Sequence, residues 1–170
     1  MNTQFLLKRI LIDGTLLALF FTLMATITAF INPRIALSDY PDDVKTAVPP
    51  RTKKEFRQGI VIGLVSLIGI LAVLLWSTWQ VKIQNGGTIT YWMAFATIFG
   101  EVFYMSLFDL FVLDILIFCT WTPKLVVIPG TEGMAGYKDI GIHLKGHATT
   151  GNALLIIFSS VLAFVTTFLF

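Results

Sequence analysis

The sequence predicts an all-α integral membrane protein: a four-helix bundle of antiparallel spans, with two long loops on one membrane face. Three observations predict it. Of 170 residues, 56% are hydrophobic and 13% charged, with mean hydropathy +0.82, far more apolar and far less charged than a soluble domain. Four apolar stretches are each long enough to cross about 30 Å of hydrocarbon, which takes about 20 helical residues. Aromatic residues and helix breakers mark the ends of these stretches. In lipid the backbone must satisfy its own polar groups, so the stretches are helices, and the chain reads as a single polytopic domain.

The first span covers residues 10–31 and stops at Asn32-Pro33. Lys8-Arg9 before it and Ala36-Leu37-Ser38 after it suggest a cleavable signal. The apolar run is too long for a signal core, however, and Arg34 sits close to the would-be cut, so the segment is expected to stay as a span. Asp13, four residues after Arg9, is expected to pair with it on the helix surface. The loop that follows, residues 32–57, is rich in proline and charge and is expected to lack regular structure over much of its length.

The second span covers residues 58–79, closed by Trp76 and Trp79. Gly59, Gly63, Ser66 and Gly69 put small residues at helical spacing, a pattern that permits close helix contact within the chain. A homo-oligomer joined through Gly59, Gly63 and Gly69 is the alternative use. Asn85-Gly86-Gly87 is a tight-turn signal, so the second and third spans are antiparallel neighbours. The third span, residues 92–121, opens at Tyr91-Trp92 and ends before Pro123; the fourth covers residues 152–170.

Basic residues set the expected topology. Lys8, Arg9 and Lys82 lie on the side of the N-terminus, whereas Arg34, Lys45, Arg51, Lys53, Lys54, Arg57, Lys124, Lys138 and Lys145 lie in the first and third loops. The positive-inside rule then places these two loops in the cytoplasm and both termini outside. A net charge of +2 gives no reason to expect nucleic acid as a partner; membrane lipids are the expected surroundings. The single Cys119 lies in an apolar run, with no second cysteine and no zinc pattern, and reads as a buried inert thiol.

Acidic residues inside spans are expensive, and therefore mark candidate functional positions. Glu101 lies nine residues past Trp92, about 13 Å deep, with no basic residue in its own span. Thr97 and Tyr104 share its helix face and are expected to form a polar stripe with it. Asp109 and Asp114 lie deeper, toward the third loop. Five residues on an α-helix turn through about 140°, so these two carboxylates are not expected to share a face.

In the third loop, Asp139, His143 and His147 fall at i, i+4 and i+8 and line one face if the segment is helical. Imidazole and carboxylate together suit zinc, iron or manganese. The expected ligands of such a divalent metal are His143, His147 and Asp114, with Asp109 or Glu132 as alternatives and Asp139 behind a histidine. Solvated interfacial histidines are the plain alternative.

These placements put Asp109, Asp114, His143 and His147 on one membrane face with Arg51, Lys53, Lys54, Arg57 and Tyr137. They suggest a membrane-embedded enzyme acting on a lipid or isoprenoid-like substrate: the acids and histidines for chemistry, the basic cluster and Tyr137 for the head group. No nucleophile elbow or glycine-rich phosphate loop narrows the reaction. A second reading is an oligomeric proton-linked transporter or channel subunit that titrates Glu101. A third is a non-catalytic accessory protein. Glu101 separates the first two, since only a transporter depends on it near mid-membrane.

Overall fold

The computed structural model describes residues 3–169. Four of its helices are long and apolar enough to cross a membrane: α1 (Thr3–Ile31), α3 (Lys53–Gln84), α4 (Tyr91–Trp121) and α5 (Ile140–Leu169). A short helix, α2 (Asp42–Ala47), lies in the first loop. No strand occurs among the described residues, and the chain is an all-α, multi-pass membrane bundle. The spans exceed the lengths read from hydropathy. The largest difference is in the last, which begins at Ile140 rather than at residue 152 because Asp139 caps it, its carboxylate accepting the Gly141 N–H at 2.9 Å.

α1 packs between α3 and α4, and α4 packs against α5. Their shared core is Leu17, Leu74, Ala94, Ile98, Val102 and Ala163. The outward faces carry exposed Leu23, Ile68, Phe111 and Phe164, the apolar surface a bundle presents to lipid. α1 and α4 come close because glycines leave room. Gly14 of α1 faces Tyr104, and Gly100 of α4 faces Ile10; a methyl group at these positions would lie 2.9 and 2.5 Å from those side chains. Gly69 of α3 likewise seats the Phe20 ring. The turn after α3 follows its sequence signal, with Gly86 at φ +73° and Gly87 at φ +84°.

The first loop is more regular than its composition suggests. Asn32 accepts the Arg34 N–H and opens a 3-10 helix at Pro33–Asp39, α2 follows, and an ion pair ties the two ends of the loop. Arg34 Nε donates to Glu55 Oε1 at 2.9 Å, and its Nη2 donates to the Pro49 and Pro50 carbonyls. Glu55 in turn completes a capping box with Thr52 at the start of α3. Proline-rich backbone lacks donors, so side chains supply the missing bonds.

The first and third loops meet in a second core of Leu37, Tyr40, Val44, Ile128 and Tyr137. Tyr40 donates to the Val126 carbonyl at 2.7 Å, and burial pushes its phenol above the ordinary value, so it stays a donor. Gly136 N–H donates to Asp43 Oδ2 at 2.9 Å across the junction, and a side chain at Gly136 would run into that carboxylate. Gly136→Val is therefore expected to separate the loops at a cost of about 1–3 kcal/mol. Its thermal unfolding midpoint in detergent should fall, while an exposed-site control such as Thr46→Ser should leave the midpoint unchanged.

Candidate functional site

The bundle is close-packed around Ala94 and Ile98 and opens toward the loop end. There, a cavity of about 1120 Å³ lies between α1, α3, α4 and the start of α5, under the first loop. Its space comes from small residues. Gly63 and Ser66 of α3 face it, and a methyl group at Gly63 would meet nothing within 4 Å. The walls are mainly apolar, with Phe21, Met24, Ile60 and Leu113 among them, and one wall carries Asp109, Asp114, His143 and His147.

These four come together because α4 changes its winding. From Asp109 to Trp121 it is π-helical, and its end is held by a Thr122 N–H that reaches five residues back to the Ile117 carbonyl at 2.8 Å. With i to i+5 bonding, residue i+5 lies near the residue below it. Asp109 and Asp114 therefore share a face, correcting the expectation drawn from α-helical rotation. On α5, His143 and His147 are one α-helical turn apart and face this wall, as their spacing suggested.

Distances define the cluster. His143 Nδ1 lies 3.0 Å from Asp114 Oδ2, and His147 Nε2 lies 3.2 Å from the same oxygen and 3.6 Å from Asp109 Oδ2. The Ser106 hydroxyl lies 3.0 Å from His147 Nδ1. All four side chains are partly buried, between 12 and 25% exposed. His143 also packs edge-on to Phe118, and its Nε2 is buried without a hydrogen-bond partner. A carboxylate that orients an imidazole is an arrangement for moving protons or holding a cation.

The other residues singled out from sequence lie outside this cluster. Arg51 lines the cavity, where Nη1 donates to the Ile35 carbonyl at 2.9 Å and the guanidinium packs over Phe56. Lys53, Lys54 and Arg57 are exposed on the first turns of α3. Tyr137 is 2% exposed, and its hydroxyl accepts the Ile128 N–H and bonds the Thr131 hydroxyl, so it builds the loop core rather than the cavity wall. Asp139 is a helix cap. Glu132 is folded onto its own turn, where backbone N–H groups of Glu132 and Gly130 hold its carboxyl below the usual range. Cys119 is buried, as read. Ser106 had no sequence signal, since a lone serine in a span is ordinary.

Glu101 is fully buried and does not line the cavity. Its Oε1 accepts from Ser77 of α3. Thr97 and Tyr104, on the same face by spacing, bond elsewhere: Thr97 bonds its own helix at Met93, and Tyr104 accepts from Thr15 of α1. Nearby, Arg9 and Asp13 form the expected ion pair at 2.5 Å, with the Asp13 side chain only 6% exposed.

Glu101→Gln keeps an oxygen for the Ser77 hydroxyl and should shift unfolding by less than about 1 kcal/mol. Glu101→Ala leaves that hydroxyl unbonded beside a void and should cost about 2–4 kcal/mol. Chemical or thermal unfolding of both variants in the same detergent checks the pair. No protein-family model, curated protein or solved structure matches this chain, so the function is argued from the geometry of the site.

Proposed function

We propose that this protein is a membrane-embedded enzyme acting on the head group of a long-chain lipid or isoprenoid-like substrate. The observation that carries the reading is the cavity: a mainly apolar space with two carboxylates and two imidazoles on one wall. Its volume of about 1120 Å³ exceeds the usual range of small-molecule sites, about 300–1,000 Å³, and is roomy enough for a chain as well as a head. Apolar walls take the tail by ordinary hydrophobic burial.

The chemistry falls to the polar wall. In this reading His143 exchanges protons with the head group, its ring held by Asp114 at 3.0 Å, and Asp109, Asp114 and His147 form the polar centre that holds the head group. Arg51 offers a cation at the roof that, among the described residues, no acidic side chain neutralises in the way Glu55 neutralises Arg34. The excess of basic residues in the first and third loops supports a cytoplasmic position for this end of the bundle.

Gly63→Leu tests the reading without disturbing the polar wall. Leucine is a better helix former than glycine by about 0.8 kcal/mol, and open space lies beside Gly63, so the variant should fold at least as stably as wild type. Mass spectrometry of organic extracts from purified protein should find a long-chain molecule with wild type and little with Gly63→Leu. Wild type that carries no such molecule, or a Gly63→Leu variant that retains it fully, overturns the proposal.

A further inference from the structure

We infer that Asp109, Asp114 and His147 form a divalent-cation site of the manganese, iron or zinc class, with His143 as a positioning residue. The inference rests on the cavity reading for what the ion acts upon, while ion binding itself is measured independently. Among the described residues this is the group in which three side chains able to ligate a metal converge, one ligand atom from each lying within 4.8 Å of the others.

The geometry is that of a coordination edge. Ligands about 2.1 Å from one ion stand about 3.0 Å apart in an octahedron and about 3.4 Å apart in a tetrahedron. His147 Nε2 lies 3.2 and 3.6 Å from the two carboxylate oxygens, two edges of that size, and the three ligand atoms all lie within 4.8 Å of one another. The ring is also set for the task. Its Nδ1 faces the Ser106 hydroxyl at 3.0 Å; when Nδ1 carries the proton and donates there, Nε2 presents a lone pair to the two aspartates. An outer partner that fixes a ligand's tautomer in this way is a standard feature of histidine metal sites.

The donor set points the same way. Among the described residues, the charged or ionisable side chains that pair with these two aspartates are the two imidazoles, with no lysine or arginine among them, and carboxylate beside imidazole is a donor set that divalent transition metals take. His143, bonded to Asp114 at 3.0 Å, turns that carboxylate toward the centre. Three protein ligands leave coordination positions open, the form of a catalytic rather than a structural site, and all three residues line the cavity. Carboxylate and imidazole without thiolate select manganese, iron or zinc over copper(I).

The experiment uses the full chain in lipid nanodiscs, stripped with chelator and then titrated with Mn²⁺ or Zn²⁺. Stoichiometry is read by elemental analysis, Mn²⁺ affinity by electron paramagnetic resonance, and histidine ligation by nitrogen coupling in the pulsed spectrum. Wild type should bind one ion per chain and show the nitrogen coupling. His147→Gln should lose the coupling and bind more than about 100-fold more weakly, and Asp109→Asn should weaken binding similarly. His143→Gln should keep the coupling and weaken binding by about 10–100-fold, the loss typical of an outer partner. Glu132→Gln, in the exposed turn, should change nothing. Wild type that takes up neither ion stoichiometrically, or unchanged binding by His147→Gln, overturns the inference; the wild-type result stands even if a variant misfolds. Protein that binds an ion but no long-chain molecule removes the enzyme reading alone, and the reverse result removes the ion alone.

Discussion

The winding of α4 from Asp109 to Trp121 is the constraint on which the site depends. An α-helix would turn residues five apart through about 140°, sending one aspartate to the cavity and the other away from it. Reaching five residues back for each hydrogen bond brings both carboxylates to one wall. The loops brace the end of this segment. Thr122 ends α4 at φ +50°, a conformation uncommon for a β-branched residue, and Lys138 donates to the Thr120 carbonyl and the Thr122 hydroxyl. Phe118, within the segment, packs against both Tyr40 and Tyr137. Wide helical turns recur at functional positions, and here the widening is what gives α5 a carboxylate pair to face.

The bundle divides its length between packing and space. Around Leu17, Leu74 and Ile98 the helices are in contact, with Gly14 and Gly100 admitting Tyr104 and Ile10. Toward the loops the small residues of α3 have no such partner at Gly63, and the cavity lies where a fourth wall of side chains would otherwise fill the bundle. Small residues thus serve opposite ends in one fold: close approach in one half and open volume in the other. Polar groups follow the same division. In the packed half Ser77 donates to one oxygen of Glu101 while the other is buried without a hydrogen-bond partner, and Arg9 pairs with Asp13; in the open half the polar side chains converge on a space that a ligand can reach.

The composition of the chain, its four spans, the turn at Asn85-Gly86-Gly87 and the facing of His143 and His147 were legible in the sequence. Each of these depends on local periodicity or on the solvent: apolar runs of membrane length, glycines in a turn, histidines four apart on a helix. Loop structure was less legible. Arg34 finds Glu55 across 21 positions, and Asp43 finds the Gly136 backbone across 93. No local pattern encodes such bonds, so a proline-rich, charged loop reads as irregular until its partners are in place.

By itself the sequence determined that this chain lives in a membrane, because a hydropathy of +0.82 and four long apolar runs leave few other ways to satisfy backbone and side chains. It also determined which residues are costly enough in a span to need a reason. Tertiary structure decided which of them meet. Asp109 and Asp114 are brought together by a departure from α-helical winding that composition does not announce. Tyr137 and Asp139 are drawn away from the site by a loop core and a helix cap, and Glu101 is closed into the packed half by a serine from another span. Convergence of side chains is a property of packing between distant segments, and periodicity along one segment carries no information about it.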